Sequence, residues 1–116
     1  MAHFLQPLLG ASSDGMALYV EGRDMPIASR IEGAFSSATR KRGLLGRASM
    51  PDSFALAIAP CSAIHTFRMQ FAIDVIYVAR DGRVLKVTSD LGPGKLSGSL
   101  RAFAVIELAA GALAGA

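Results

Sequence analysis

The sequence has one cysteine, no tryptophan and two histidines in 116 residues. With Cys61 alone, neither an intrachain disulfide nor a cysteine-rich zinc site can form. A metal centre built on His3 and His65 would need carboxylates to complete it, and no ligand spacing of that kind is present, so no cofactor is expected. The missing tryptophan and a net charge of only +3 argue against nucleic-acid binding, which needs a broad basic face with aromatic rings free to stack on bases. The densest positive stretch, "RKRGLLGR" (residues 40–47), reads as a solvated helix face. No apolar run reaches the roughly 18 to 20 residues of a membrane span. Residues 54–64 come nearest and are broken by Pro60. The opening "MAHFLQPLLGASSDG" lacks the basic start and unbroken apolar core of a secretory leader, which points to a cytoplasmic protein.

What is present is a hydrophobic content of 52% against 18% charged residues, the balance of a compact globule. A chain of this length forms one domain and needs no covalent staple. Residues 1–15 show no periodicity and end in the turn-like "SSDG". They read as an arm or tail ahead of a single β-rich domain over 16–116. "MALYVEG" (16–22) and "SRIEGAF" (29–35) are strand candidates. Ser36 or Ser37 can cap a short helix over "ATRKRGLL", which Gly43 and Gly46 weaken or end, and Leu44 and Leu45 should dock it.

"SFALAIAP" (53–60) is an apolar run of strand length ending at a proline. "AIHTFRMQF" then alternates. Ala63, His65, Phe67, Met69 and Phe71 fall on an apolar face, with Ile64, Thr66, Arg68 and Gln70 opposite. "IDVIYVA" is apolar on both faces except at Asp74, the mark of a central strand. "RDG" reverses the chain into "RVLKVTSDL". A three-residue turn with Gly82 left-handed keeps Arg80 from facing Arg83 and is preferred. "LGPGKLSGS" (91–99) reads as a loop without the spacing of a phosphate loop, and "LRAFAVIEL" as the last strand before a frayed end. About six strands with one short helix predict a mainly β, compact single domain, a sandwich or partly closed barrel.

Four chemically capable side chains stand in the most apolar part of the chain: Cys61, His65, Arg68 and Asp74. A Cys61–His65 nucleophile pair conflicts with the strand between them. Four residues of strand span roughly 13 Å, whereas a nucleophile and its base must lie roughly 3 Å apart. His65, on the apolar face, reads as a hydrogen-bonded core residue or a ligand contact. Asp74 must be neutralised or matched, because an unpaired buried charge costs several kcal/mol. Arg68 and Arg42 are the expected partners, in an ion pair that locks the hairpin to the helix. Alternatively His65, Thr66, Arg68 and Asp74 line a cleft and bind a ligand.

In order, "RKRGLLGR", "PCSAIHTFRM", "IDVIYVARDGRVLKV" and "AVIELAAG" resemble the domain-of-unknown-function 192 family over residues 31–111, in its branch with "IHTF.M". The resemblance implies a mainly β single domain and no established activity. It also implies that many relatives carry export signals. The proline usual before "ID" is Ala72 here, which loosens that turn. The favoured function is a small soluble binding module, taking a small polar ligand or peptide at His65, Thr66, Arg68 and Asp74. The alternatives are a structural or interaction domain without chemistry, and a hydrolase-like enzyme using Cys61, His65 or Asp74.

Overall fold

The computed structural model describes residues 3–8 and 16–114, so most of the expected arm over 1–15 lies outside the described residues. Three strands at the centre of the main sheet dominate the architecture: β2 (Phe54–Ile58), β4 (Ile73–Val78) and β7 (Ala104–Ala109) are buried at every position. Runs of Val, Ile, Leu and Ala without alternation can be satisfied only in a sheet covered on both faces. With β1 (Arg30–Ala34) and β5 (Val84–Leu91) they form a five-stranded sheet in the order β1-β2-β7-β4-β5. β1 and β2 run parallel and the other neighbours antiparallel. Parallel neighbours cannot be joined by a tight turn. The crossover from β1 to β2 carries the helix α1 (Ser37–Arg42).

Odd and even positions of the central strands feed two separate cores. Phe54, Leu56, Ile58, Ile73, Val75, Tyr77, Val105 and Ala109 face one side, where Leu44 and Met50 from the crossover and Met69 close over them. Ala55, Ala57, Ile76, Val78, Ile106 and Leu108 face the other, covered by Leu5 and Ala28. A ribbon of β3 (Ala63–His65) and β6 (Leu96–Gly98) forms the second sheet, whose Ile64 packs on the first core. The result is the sandwich-like, mainly β fold expected, with seven strands among the described residues and no closed barrel.

Several local expectations hold. Ser36 caps α1 in a capping box with Thr39, and Gly43 ends the helix at φ 48° and ψ −124°, a backbone open only to glycine. Leu44 is 3% exposed and anchors the crossover, worth roughly 2 kcal/mol of burial, while α1 itself buries none of its residues. Ala79 N–H bonds Arg83 O around a three-residue turn with Gly82 at φ 91°, so Arg80 does not oppose Arg83.

Others differ. The 16–22 strand is reduced to a bridge between Leu18 and Ala28, while 91–99, read as loop, contributes β6. Residues 3–8 are docked: Leu5 is buried and Phe4 N–H bonds Arg80 O. The alternation over 63–71 stops after His65. Arg68 takes φ 66°, and it is Thr66, 0% exposed, that turns inward while Phe67 stays 45% exposed.

Candidate functional site

The four residues expected to form a cleft have different surroundings in the structure. His65 is exposed on the ribbon and stacks on Phe67 at 5.1 Å between ring centroids. Its expected place on the apolar face is overturned: within β3, Ala63 and His65 lie on the exposed side and Ile64 on the inner one. Arg68 is exposed at the following turn. The Thr66 hydroxyl is committed to the backbone: Oγ1 donates to Gly92 O at 2.6 Å and accepts from Lys95 N–H at 2.9 Å. That clamp fastens the turn to the start of β6 and explains why a threonine is buried there.

Asp74 is 1% exposed, as the burial argument required, but the ion pair with Arg68 or Arg42 is corrected. Its Oδ1 accepts Asp90 N–H at 2.8 Å, and its Oδ2 accepts Gly111 and Leu113 N–H, each at 3.1 Å. Loose backbone donors at the end of the sheet do the work assigned to a cation. The cavity beside Asp74 is lined by residues 89–90, 110–111 and 113–114, without His65, Thr66 or Arg68. The Cys61–His65 pair does not form either. Cys61 Sγ donates to Ala63 O at 3.2 Å, and burial pushes the thiol pKa up, away from reactivity.

The acid beneath α1 is Glu107, which the motif reading passed over. It lies mid-sheet on β7, opposite Leu56 on one side and Val75 on the other. The residue is 3% exposed, and Oε1 has no hydrogen-bond partner among the described residues. Burial pushes its pKa up to about 7. Arg40 of α1 does not satisfy it. Its guanidinium donates from Nη1 to Pro60 O at 3.1 Å, while its buried Nε is also unpartnered. Cys61 feels both charges, Glu107 raising its pKa and Arg40 lowering it. Tyr77, whose hydroxyl donates to Ser97 Oγ, is raised first by burial and further by Cys61 and Glu107. The signal that would have found Glu107 was available: "AVIELAA" is apolar on both faces except at one acid, as "IDVIYVA" is at Asp74.

Beside this group a cavity of about 290 Å³ opens between β1, α1 and the segment after it. Glu32, Thr39, Arg42 and Arg47 supply its polar lining, and Gly43 and Leu56 belong to its wall. Gly43 is thin: a Cβ there would stand 4.0 Å from Glu107 Oε1. Arg47 is held in place by Phe54, with its guanidinium carbon 5.1 Å from the ring centroid. Two further cavities, of about 360 and 350 Å³, lie where residues 4–8 and 16–21 meet the opposite face. Their linings are mostly apolar.

Comparison with solved structures finds the same fold in a protein of unknown function from Novosphingobium aromaticivorans, with a TM-score of 0.64 and 24% identity. The match covers 71% of this chain and spans 64% of that protein's length. A "putative transcription regulator" from Sinorhizobium meliloti matches with a TM-score of 0.66 and 20% identity, over 72% of this chain and 70% of that one. At these identities the likeness is one of fold. No curated protein matches the chain. The family model of DUF192, described as an uncharacterized ACR, matches residues 19–116, and the chain belongs to that family.

Proposed function

We propose that the protein is a small binding module whose site is the cleft over Gly43, and that its ligand is a small polar molecule carrying a carboxylate. The observation that carries the reading is the pairing of Arg42 and Arg47 on one cavity with a single acid, Glu32. Planar guanidinium groups match carboxylates through paired hydrogen bonds, and Arg47 is pre-oriented by its aromatic contact. Glu32 offers an acceptor for an ammonium or hydroxyl on the same ligand, as an amino acid or peptide terminus would present. Nucleophilic chemistry at Cys61 is disfavoured by its raised pKa and its bond to Ala63 O.

The test is an amide NMR titration with acetate, succinate, glycine and triglycine at constant ionic strength. For at least one probe, saturable shifts should centre on Thr39, Arg42, Gly43 and Arg47, and the Arg42→Gln/Arg47→Gln double variant should weaken binding at least tenfold. If no probe moves those amides, or if the double variant binds as the wild type does, the cleft is not the site.

A further inference from the structure

Glu107 is a buried acid behind the wall of the proposed cleft, and no function assigned so far uses it. Two wall residues of the cavity are its immediate neighbours. Leu56 is its partner across the β2–β7 ladder, and Gly43 offers no side chain between the cavity and Glu107 Oε1. The groups around the carboxyl are few. From the segment after β2 comes Cys61, which also feels Arg40 of α1, and from β4 Tyr77 with the apolar Val75. Arg42, Arg47 and Glu32 are the charges on the cavity side. Cys61 and Tyr77 both have raised pKa values and are neutral through the middle of the pH range, and the arginines keep their charge throughout.

We propose that Glu107 is a proton-linked regulator of this cleft: an anion bound by Arg42 and Arg47 and a proton on Glu107 favour one another. The inference rests on the proposed binding site. An ionised Glu107 places a negative charge one residue behind the bound anion, in a region from which water is largely excluded, so its field is weakly screened. Protonation removes that repulsion without moving any atom. Linkage makes the effect reciprocal, so a bound anion must make Glu107 harder to ionise by the same factor. Burial already places the titration near 7, so the two states exchange in the neutral range. The cavity's own arginines, Arg42 and Arg47, offset part of the repulsion when Glu107 is ionised. The expected coupling is therefore moderate, roughly fivefold.

Sulfate is the probe, because its charge is constant across the range used. Its affinity should fall roughly fivefold from about pH 6 to 8.5 in the wild type and stay flat in Glu107→Gln, which keeps the shape of a neutral acid. In the wild type alone, the Glu107 carboxyl carbon should titrate near 7, and saturating sulfate should move that midpoint upward. Sulfate that binds with the same pH dependence in both proteins, or a midpoint that sulfate leaves in place, overturns the linkage while leaving the cleft standing. Failure of sulfate to bind at any pH, with the carboxylate probes equally silent, overturns the cleft and the linkage together. Binding that survives the Arg42→Gln/Arg47→Gln double variant marks an adventitious ion only and overturns the proposal.

Discussion

Asp74 and Glu107 lie on neighbouring strands, one register step apart and on opposite faces of the same sheet. Both are almost fully buried, yet one is bonded on both oxygens and the other is unpartnered at Oε1. The difference is position along the strand. Asp74 sits at the end of the sheet, where β5 breaks register and Asp90 turns left-handed at φ 53°, and where the chain after β7 curls back. Amides released from the ladder there point at a carboxylate. Glu107 sits mid-ladder, where neighbouring backbone groups are committed to the strands on either side. Whether a buried acid is satisfied thus depends on the supply of free backbone donors more than on burial itself.

Removing Asp74 should produce the largest effect. Asp74→Ala leaves three part-buried N–H groups without their acceptor. At 1 to 3 kcal/mol for each unsatisfied group, partly relieved by water, the loss should be roughly 4 kcal/mol in denaturant unfolding. Arg42→Gln and Arg68→Gln should each change stability by less than about 0.5 kcal/mol, since neither side chain is Asp74's partner. An arginine variant as damaging as Asp74→Ala would restore the ion pair and erase the contrast with Glu107.

Glu107 should act in the opposite direction, and through pH. Its folded pKa of about 7 lies above the ordinary 4.5, so between those values the folded protein holds a proton that the unfolded chain has released. Stability from this group is therefore intact below the ordinary value and declines as pH rises toward the folded one. The decline amounts to roughly 2 to 3 kcal/mol between about pH 5 and 8. Glu107→Gln should remove that slope, as measured by unfolding free energy against pH. A slope that persists in the variant would assign it to another group.

The sequence carried more of the fold than of the site. Gly82 and Ser36 act within a few residues of themselves, so the turn and the helix cap were readable from local pattern. The apolar run 73–78 announced a central strand for the same reason. Thr66 was misplaced because its inward turn is made by Gly92 and Lys95, some thirty residues further on, and alternation has no access to such partners. Asp74 was correctly judged to need partners, but the choice between a cation and backbone amides depended on how β5 and the chain after β7 fold against it. Glu107 was within reach of the same reasoning. What no local pattern could supply is that β2 and β4 flank it and that Gly43 separates it from a cavity.

A smaller loss than at either acid is expected at Ser36, which tests whether the cover over Glu107 keeps it out of water. α1 is six residues long and buries none of them, so propensity alone cannot hold it. It is fixed by the Ser36–Thr39 capping box at its start, by Leu44 just beyond its end, and by the bond from Arg40 to Pro60 O. Ser36→Ala removes the side-chain acceptor for Thr39 N–H and should cost about 1 kcal/mol. Amide exchange within 37–42 should quicken while β4 and β7 keep their protection, because the cap serves one short element and not the sheet. Water reaching Glu107 through a looser α1 would weaken the desolvation that holds its pKa up. Its carboxyl titration should therefore move from about 7 toward the ordinary 4.5. A faster-exchanging helix with an unmoved midpoint would show that the ribbon and the sheet, and not α1, keep Glu107 dry.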